Sequence, residues 1–511
     1  MTRDATTYKK TKIIATIGPS SEDHIESLLE SGVNGIRLNF SHGDYRTHKR
    51  NLSIARRASR KLDRGLAVIQ DLAGPKIRLG ELPEKGVTIK RGDMVGFSFG
   101  DTYDEELGIL PSQYNFADEV SIGEHVYLRD GQIALVVKHV KGGIVTAKAL
   151  NSGVVLSHHG INLPDTVFKG SVVTDKDRQD ILFAIQEDVD YVAVSFVQSV
   201  KTIKEVRRLL KPANHPVHII TKIETKAAVT NLDAIIEASD AIMIARGDLA
   251  VEIGAENVPI VGRRIIEAAR RNNKPVIMAT QMLESMIKST QPSRAEANDV
   301  STAVLLGVDA VMLSGETAIG DYPVETVKMM KRIILKAEQY SIMGTINLDF
   351  VSSEYGKAAL IAPSLRKPDL QRIHDTTRLV FEQHNSPDET PQNHNIPASI
   401  SLAAITLAEQ IGAKLIVAET MTGDTAYSVS NLRPAVPIIM ASPDRNVCNK
   451  LSIVWGGKPL LISNSSDTNQ RIITRLKQTG AVKPNDYVIC AYGRHRNVSG
   501  GTDTVRIMRV E

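Results

Sequence analysis

The sequence repeats one unit eight times: a short apolar run that ends in a polar or charged residue, followed by an amphipathic segment. The runs are dense in Val, Ile, Met and Ala and do not alternate with polar residues, which is typical of strands buried on both faces of a parallel sheet. Eight strand–helix units predict an α/β fold closed into a (β/α)8 TIM barrel. The runs are 12–18, 35–41, 67–71, 191–196, 218–224, 241–248, 275–280 and 310–316.

The spacing of these units breaks once, between the third and the fourth run. The stretch 74–170 is rich in Gly and contains short alternating runs, a pattern of antiparallel strands. We expect it to form a small β-barrel domain inserted into the large barrel. The large barrel would then consist of a first part, 1–73, and a second part, 171–345.

The remainder of the chain divides into two further segments. Residues 346–396 contain no strand-like run, so we expect an irregular, exposed insertion that is partly helical. Residues 397–511 again alternate helical and strand patterns, with one strand expected at 460–463, and predict a separate C-terminal α/β domain. Three compact units and an insertion agree with a length of 511 residues, since a domain typically takes about 150.

The charge balance and the cysteine count exclude several classes of protein. The 62 Lys and Arg residues against 58 Asp and Glu residues leave a net charge of +4, too little for an electrostatic nucleic-acid binder. No apolar run approaches the ~18 residues of a membrane-spanning helix, and no signal peptide is visible. Two cysteines cannot make a disulfide framework. We expect a cytoplasmic protein without nucleic-acid or membrane partners.

Polar residues at the strand ends are the candidate active site, because (β/α)8 barrels build their sites at that end. Glu224 and Asp248 end neighbouring strands, and two carboxylates suit a hard cation such as Mg²⁺ or Mn²⁺. Arg37, Arg78 and Lys222 would face a phosphoryl group. A solvated strand end explains any one of these residues, but eight polar endings at one mouth favour a site. The other polar strand-end residues are Thr16, Asn39, Ser41, Asp71, Ser195, Arg246, Thr280, Ser314 and Glu316.

Six segments resemble the signature segments of the pyruvate kinase family, in the family's order. The resemblance covers about 11–340 and 396–511. It implies Mg²⁺-dependent transfer of a phosphoryl group from phosphoenolpyruvate to ADP, giving pyruvate and ATP, as the last step of glycolysis. It also implies a homotetramer under allosteric control, with the C-terminal domain as the regulatory one. The segments are 39–43 (NFSHG), 71–78 (DLAGPKIR), 222–224 (KIE), 245–249 (ARGDL), 278–286 (MATQMLESM) and 312–318 (MLSGETA).

The resemblance implies roles for the matching residues. The metal ligands would be Glu224 and Asp248. Lys222 would stabilise the phosphoryl group in flight and Thr280 would abut the enolate, with a proton relay behind it. The catalytic set is Arg37, Lys222, Thr280, Ser314 and Glu316; the substrate-binding set is Arg37, Lys222, Gly247, Asp248 and Thr280; the nucleotide-binding set is Asn39, His42, Arg78 and Lys176.

One position departs from the family's pattern in a way that affects cofactor use. Many pyruvate kinases bind K⁺ and carry Glu where this sequence has Lys76. A lysine ammonium can supply the positive charge that a monovalent cation would otherwise bring, so we expect activity without K⁺. The alternative is that Lys76 is a surface lysine facing the hinge.

A loop in the C-terminal domain is a second candidate site. It joins a strand to a helix and resembles the family's effector loop, where a sugar phosphate or a nucleoside monophosphate binds. The residues of the candidate are Thr420, Thr422, Gly423 and Thr425. Asp424 would repel phosphate, and an ordinary capped helix explains the segment equally well.

Two other functions remain open beside the phosphotransferase. One is a catalytically silent, metabolite-sensing homologue, against which the intact Lys222, Glu224 and Asp248 argue. The other is a Mg²⁺-dependent barrel lyase acting on pyruvate or its enol. A lyase would have little need of the inserted domain or of a phosphate clamp made by Arg37 and Arg78.

Overall fold

The computed structural model describes residues 8–347, 396–463, 468–493 and 501–511. The insertion expected at 346–396, with its helical part, lies outside the described residues except at its two ends. No helix in the described ranges combines the length and the apolarity that a membrane crossing needs.

The chain begins with three strands of the barrel and the helices between them. The strands are buried along nearly their whole length, as their continuous apolar composition predicts. The second helix is capped by Asp44, whose side chain accepts a hydrogen bond from the Thr47 backbone N–H. The elements are β1 (Lys12–Ile17), α1 (Ile25–Ser31), β2 (Gly35–Asn39), α2 (Tyr45–Lys61) and β3 (Ala67–Asp71).

The segment 74–170, which we call the lid, folds into two antiparallel-rich sheets. One has six strands in the order β11-β7-β8-β9-β5-β6, and β10 pairs with β4 in the other. Isolated bridges of Arg78 with Gly160 and of Leu79 with Ser112 connect the two edges of the larger sheet. The expected small β-barrel is thus closed by single bridges, without a continuous ladder. The strands are β4 (Val87–Ile89), β5 (Met94–Phe99), β6 (Ile109–Ser112), β7 (His125–Leu128), β8 (Ile133–Lys141), β9 (Ile144–Ala149), β10 (Gly153–Val155) and β11 (Ile161–Asn162).

After the lid the strand–helix alternation resumes and completes the barrel. The helix that leads back into it has a capping box made by Thr174 and Asp177. The strands are β12 (Tyr191–Val194), β13 (His218–Ile223), β14 (Ala241–Ala245), β15 (Val276–Ala279) and β16 (Ala310–Leu313). The helices are α3 (Asp175–Gln186), α4 (Val200–Leu209), α5 (Lys226–Thr230), α6 (Leu232–Ala238), α7 (Arg246–Ile253), α8 (Val258–Arg271), α9 (Arg294–Leu305), α10 (Gly315–Ala318) and α11 (Pro323–Asn347).

The eight barrel strands are all parallel and follow one another around the barrel in chain order, which confirms the predicted fold. The last strand closes on the first through the pairing of Ala310 with Lys12. Two runs that we predicted as continuous strands are shorter, because Asp248 lies in the first turn of α7 and Glu316 in α10. In each case the strand ends three residues earlier, at Ala245 and at Leu313, and a helix follows.

The C-terminal domain has a five-stranded sheet in the order β19-β18-β17-β20-β21, parallel except for the last pair. We predicted the edge strand β19 at 460–463, but it begins at Gly457, because an edge position tolerates the Lys458-Pro459 pair that is unusual in a strand. The elements are α12 (Ile396–Gln410), β17 (Leu415–Glu419), α13 (Asp424–Asn431), β18 (Ile438–Ser442), α14 (Arg445–Lys450), β19 (Gly457–Leu461), α15 (Thr468–Gln478), β20 (Tyr487–Tyr492) and β21 (Thr504–Arg509).

The C-terminal domain packs against the underside of the barrel, where the strands begin. Lys12 at the start of β1 donates a hydrogen bond to the Gly457 carbonyl at 2.6 Å. Tyr191 at the start of β12 donates one to the Lys450 carbonyl at 3.0 Å. The lid lies at the opposite mouth of the barrel, where the strands end.

Candidate active site

Four charged side chains form a cluster at the mouth of the barrel. Arg37 donates from Nε to Asp71 Oδ2 at 2.6 Å, and from Nη1 to Thr16 Oγ1 at 3.2 Å. The Lys222 ammonium lies 3.7 Å from Asp71 Oδ1 and 3.2 Å from Glu224 Oε2. Three strands therefore contribute to one network of alternating charges, and β1 adds the Thr16 hydroxyl, as the strand-end positions predicted.

The Ser195 hydroxyl and the Phe196 backbone amide form further hydrogen bonds to this cluster. Lys222 Nζ donates to Ser195 Oγ at 2.8 Å, and Ser195 in turn donates to the Leu72 carbonyl at 2.8 Å. Glu224 Oε1 accepts the Phe196 backbone N–H at 2.7 Å. The ammonium is thus fixed between two carboxylates, with little freedom to move.

Burial and mutual attraction set the ionisation of the cluster. Burial opposes the charge of Asp71, but Lys222 and Arg37 outweigh it and hold the carboxyl pKa below its ordinary value. Burial likewise opposes the charge of Lys222, yet Asp71 and Glu224 raise the pKa of the ammonium. Burial raises the pKa of Glu224 to about 7, against the pull of Lys222. Glu224 therefore favours a further cation beside it.

The residues present fit a divalent metal ion. Glu224 Oε2 is buried and has no hydrogen-bond partner, although Lys222 lies within ion-pair distance. The Glu224 and Asp248 charges interact, since the carboxylate of Asp248 contributes to the raised pKa of Glu224. No group of three or more His, Cys, Asp or Glu able to hold a metal occurs among the described residues. Two carboxylates completed by water and substrate oxygens suit Mg²⁺ rather than a metal that requires an all-protein cage.

The start of α7 lies beside Thr280, whose hydroxyl accepts one of its first-turn N–H groups. Its N-cap residue, Ala245, has no side-chain group to satisfy the first-turn N–H groups. Thr280 Oγ1 accepts the Gly247 N–H at 2.8 Å. Thr280 itself has a φ of 66°, unusual for a β-branched residue, and Arg246 stabilises this turn by donating to the Thr280 carbonyl at 2.8 Å. Binding of a carboxylate at Gly247 and Asp248 stays a prediction, and the carboxylate would replace Thr280 as the acceptor of the Gly247 N–H.

Glu316 is fully buried and ties two strand ends together. Its two carboxylate oxygens accept the N–H groups of Ser314 at 2.7 Å and of Leu283 at 3.0 Å. These bonds give Glu316 an anchoring function behind the turn that carries Thr280. The proton relay through Ser314 and Glu316 stays a prediction.

The residues predicted for the nucleotide lie in two places. Lys176, at the start of α3, donates to the Phe40 carbonyl at 2.8 Å and to Asp180 Oδ2 at 2.6 Å, so it adjoins the loop that carries Asn39 and His42. Arg78 lies at the base of the lid, where it donates to the His158 carbonyl at 3.0 Å. The nucleotide-binding role of these four residues stays a prediction.

A cleft of about 1030 Å³ separates the barrel mouth from the lid. We call it the upper cleft; Asp248, Glu252 and Thr280 line its barrel side, and Lys76 and His125 lie on its other side. Lys76 is exposed and has no carboxylate within 4 Å among the described residues. Its ammonium is thus available to a ligand in this cleft.

Asp165 connects the lid to the barrel across the upper cleft. Its Oδ2 is 2.7 Å from His125 Nδ1 on β7 of the lid, and its Oδ1 accepts from Lys226 Nζ on α5 of the barrel at 2.8 Å. Despite partial burial, hydrogen bonds from Lys226 and His125 lower the pKa of Asp165 to about 2. Asp165 is therefore ionised at neutral pH. It connects the lid to the barrel, and these two domains have to move relative to one another if the lid closes.

Sequence reasoning missed Glu252 and the bridge made by Asp165. Burial raises the pKa of Glu252 to about 7, and its carboxylate accepts the Lys226 N–H at 3.2 Å. A signal for Glu252 was its position four residues after Asp248, which places both on one face of a helix. Nothing in the sequence signals Asp165, since its partners come from distant segments.

The predicted effector loop has its hydroxyls engaged within the domain. Thr420 Oγ1 accepts the Gly423 N–H at 2.8 Å, Thr422 donates to Asp424 Oδ2 at 2.8 Å, and the hydroxyls of Thr425 and Thr502 are 2.6 Å apart. The capped-helix alternative is wrong in its cap, because the helix has Gly423 at its N-cap and no side chain caps it. An effector bound at the loop stays a prediction.

Comparison with protein families matches both large parts of the chain. Residues 8–327 match the model of the pyruvate kinase barrel domain, and residues 398–508 match that of the pyruvate kinase alpha/beta domain. Pyruvate kinase 2 of Synechocystis is 35% identical over 508 residues, covering 98% of this chain and 79% of that protein. The pyruvate kinase of Clostridium acetobutylicum is 33% identical over 511 residues, covering 98% and 100%.

A solved structure agrees with these matches. The crystal structure of a pyruvate kinase from Cryptosporidium parvum superposes with a TM-score of 0.85 at 30% sequence identity, covering 99% of this chain and 97% of that one. Both domain types, the full-length relatives and the three-dimensional likeness agree with the charged cluster at the barrel mouth. The chain belongs to the pyruvate kinase family of phosphotransferases.

Proposed function

We propose that this enzyme transfers the phosphoryl group of phosphoenolpyruvate to ADP with the help of Mg²⁺, giving pyruvate and ATP in glycolysis. The observation that carries the proposal is the Lys222 ammonium, held between Asp71 and Glu224 and beside Arg37 at the barrel mouth. Phosphoryl transfer needs fixed positive charge where the transferring group passes, and little covalent chemistry from the protein.

Each residue of the cluster would have a separate role in the reaction, set by its position. The Arg37 guanidinium would donate to the phosphate of the substrate, while the Lys222 ammonium would stabilise the negative charge that builds up on the group in flight. Glu224 and Asp248 would hold Mg²⁺, which when bound would neutralise phosphate charge and orient the substrate. The start of α7 at Gly247 and Asp248 would bind the substrate carboxylate, which would replace Thr280 as the acceptor of the Gly247 N–H.

The turn at Thr280 would serve the second half of the reaction, in which the enolate takes up a proton. The Thr280 hydroxyl has an ordinary pKa far above neutral, so we propose that it positions a water molecule that delivers the proton. Glu316 would keep the adjoining backbone in place through its bonds to Ser314 and Leu283. Closure of the lid over ADP would exclude bulk water and limit hydrolysis of the donor.

A coupled assay separates this function from the two alternatives. With phosphoenolpyruvate, ADP and Mg²⁺, pyruvate is expected to form and to be reduced by added lactate dehydrogenase, with consumption of NADH. Without ADP the rate should fall to background. A silent homologue would form no pyruvate in either case, and a lyase would act on phosphoenolpyruvate or pyruvate regardless of ADP.

The enzyme is expected to work without K⁺. Exchange of K⁺ for tetramethylammonium at constant ionic strength should change kcat/KM by less than about twofold, because the Lys76 ammonium already provides positive charge in the upper cleft. Lys76→Glu reverses that charge and is expected to lower kcat/KM without K⁺ at least about tenfold. A tenfold or larger activation of the unchanged enzyme by K⁺ would contradict this prediction.

The bridge made by Asp165 should affect substrate binding more than the chemical step. Asp165→Asn removes the charge that links His125 and Lys226, and we expect KM for ADP to rise about three- to tenfold with kcat reduced less than about twofold. Steady-state kinetics on this variant and on Asp104→Asn, a change at an exposed turn within the lid, provide the measurement and its control. Equal KM values in the two variants would show that the bridge does not position the lid.

Other features of the family are proposals for this chain. We propose the division of the chain at 73, 170, 345 and 396, a homotetrameric assembly, a cytoplasmic location and regulation through the C-terminal domain. The full-length similarity to other pyruvate kinases supports them. Saturation curves for phosphoenolpyruvate with and without sugar phosphates or nucleoside monophosphates test the regulation.

A further inference from the structure

A second cleft lies at the opposite end of the barrel from the proposed catalytic cluster. It has a volume of about 470 Å³, which suits a small metabolite. Its walls come from the loops that precede β13, β14 and β15 and from α13 and α14 of the C-terminal domain. We call it the lower cleft; among its lining residues are Lys274, His218, Tyr427, Lys450, Asp424 and Asp444. It goes beyond the catalytic function proposed above and does not depend on it.

Two lysines in the lower cleft lack a carboxylate partner. Neither the Lys274 nor the Lys450 ammonium lies within 4 Å of a carboxylate among the residues that the structure describes. Lys450 is only 4% exposed, and its ammonium donates to the Pro216 carbonyl. Burial lowers the pKa of both lysines, which means that each ammonium lacks sufficient compensating negative charge. An anion in the cleft would supply it.

His218 adds an unsatisfied nitrogen to the same wall. Its Nδ1 is buried and has no hydrogen-bond partner, while its ring packs edge-on against Tyr191 at 5.6 Å. Burial, and then the Lys450 ammonium, lowers the pKa of His218 to about 4, so the ring is neutral at physiological pH. A neutral imidazole can donate a hydrogen bond to an oxygen of a ligand without adding charge.

The aspartates of the lower cleft already have partners of their own. Asp240 Oδ2 accepts the Ile219 N–H at 2.7 Å and lies 3.0 Å from Arg207. Asp444 caps α14 by accepting the Asn446 N–H at 2.8 Å, and Asp424 accepts the Thr422 hydroxyl at 2.8 Å. Asp424 and Asp444 are exposed at the rim, whereas Lys450 is buried. Their negative charge disfavours a ligand with several acidic groups.

We propose that the lower cleft binds a small metabolite that carries one acidic group, a carboxylate or a phosphate, on an uncharged polar body. The acidic group would contact Lys274, Lys450 and the His218 ring nitrogen, and the polar body would face Tyr427 and the rim. The site is distinct from the barrel mouth, because it adjoins the beginning of β13 while Lys222 and Glu224 lie at its end, about 13–20 Å along the strand. It also differs from the predicted effector loop, of which it includes Met421, Thr422 and Asp424 only.

Calorimetric titration with three probes tests the site. Glucose 6-phosphate and gluconate carry the two acidic groups on a similar polar body, and glucose is the neutral control. Phosphoenolpyruvate and Mg²⁺, without ADP, are kept at saturating concentration so that the barrel mouth is filled. We expect at least one of the two acids to bind once per chain, and glucose to bind at least about tenfold more weakly.

Two variants and a matched control connect the binding to these residues. Lys274→Gln should weaken the acid at least about tenfold, since a charge-assisted bond is lost. His218→Phe keeps the aromatic contact with Tyr191 and removes both nitrogens, and should weaken it about threefold or more. Lys483→Gln, at an exposed position away from the cleft, should bind as the unchanged enzyme does. Binding of neither acid, equal binding of glucose, or an unchanged affinity in Lys274→Gln would overturn the proposal; pyruvate formation is assayed separately and reports only on the barrel mouth.

Discussion

Replacement of Lys222 by Met is expected to reduce phosphoryl transfer by about 10³- to 10⁵-fold, the range over which single cations act in such reactions. The Lys222 ammonium is the positive charge between Asp71 and Glu224. A thioether side chain of similar length cannot stabilise the negative charge on the phosphoryl group during its transfer. Divalent-cation binding should remain within about threefold of its original strength, because the ligands stay in place and a competing cation is removed. The rate is measured by the coupled assay and the metal by titration of the free Mn²⁺ signal in electron paramagnetic resonance.

The control for this change is Lys201→Met on the exposed side of α4, which should leave both rate and metal binding unchanged. Circular dichroism establishes that the variant folds, since loss of the ammonium leaves two buried carboxylates less compensated. Lys222→Arg, which keeps the charge but displaces it, provides a second variant and should retain more activity than the Met variant. Turnover by Lys222→Met at more than about a tenth of the original rate would refute the role assigned to Lys222.

Replacement of Glu224 by Gln is expected to have the opposite signature, in which metal binding is lost first. The amide keeps the shape of the side chain and can still accept the Phe196 N–H, but it no longer provides a carboxylate for the cation. We expect the Mn²⁺ dissociation constant to rise at least about 100-fold and kcat/KM to fall by about 10² to 10³, more than the 10- to 100-fold typical of indirect partners of a metal.

In this experiment, the free energy of unfolding of the metal-free protein distinguishes a metal ligand from a carboxylate that stabilises the fold. Burial raises the pKa of Glu224 to about 7, so the neutral Gln side chain should not destabilise the metal-free protein. Glu237→Gln on the exposed face of α6 is the matched control and should retain full Mn²⁺ affinity. An unchanged Mn²⁺ affinity in Glu224→Gln would remove Glu224 from the metal site.

The sequence predicted the barrel because its signal repeats along the chain. Each buried parallel strand reads as a continuous apolar run, and the polar residues at the ends of the runs meet at one mouth by the geometry of the fold. Lys222 and Glu224 are two residues apart, a spacing that places both on one face of a strand, and the two side chains lie 3.2 Å apart. Local patterns and a single topological rule were sufficient here.

Features that depend on contacts between distant segments were not predictable from one sequence. Asp165 meets His125 of the lid and Lys226 of the barrel, and no local pattern indicates that these three residues come together. The strand β19 was placed too late because its edge position, which tolerates Pro459, is a property of the folded sheet. The lower cleft is made between two domains whose contact no periodicity specifies.

The strand-end residues were predicted as a set, but their local structure was not. Asp248 and Glu316 were expected at the ends of strands and lie in short helices that follow them. The backbone of Arg246 to Asp248 consequently presents the N-terminal end of a helix rather than an extended edge, and we propose its amides as the binding groups for the substrate carboxylate. The roles assigned to Asp248 and Glu316 stay predictions, and they now depend on helix starts instead of strand ends.

We propose above all that the barrel mouth couples cleavage of phosphoenolpyruvate to formation of ATP. Phosphorus NMR of the purified enzyme with phosphoenolpyruvate, ADP and Mg²⁺ tests it directly, since donor, ATP and free phosphate give separate signals. We predict that the donor signal declines as the ATP signals grow in equal amount, with no free phosphate, and that neither changes with Lys222→Met. Loss of the donor with release of free phosphate instead of ATP, or no loss at all by the unchanged enzyme, would contradict the claim.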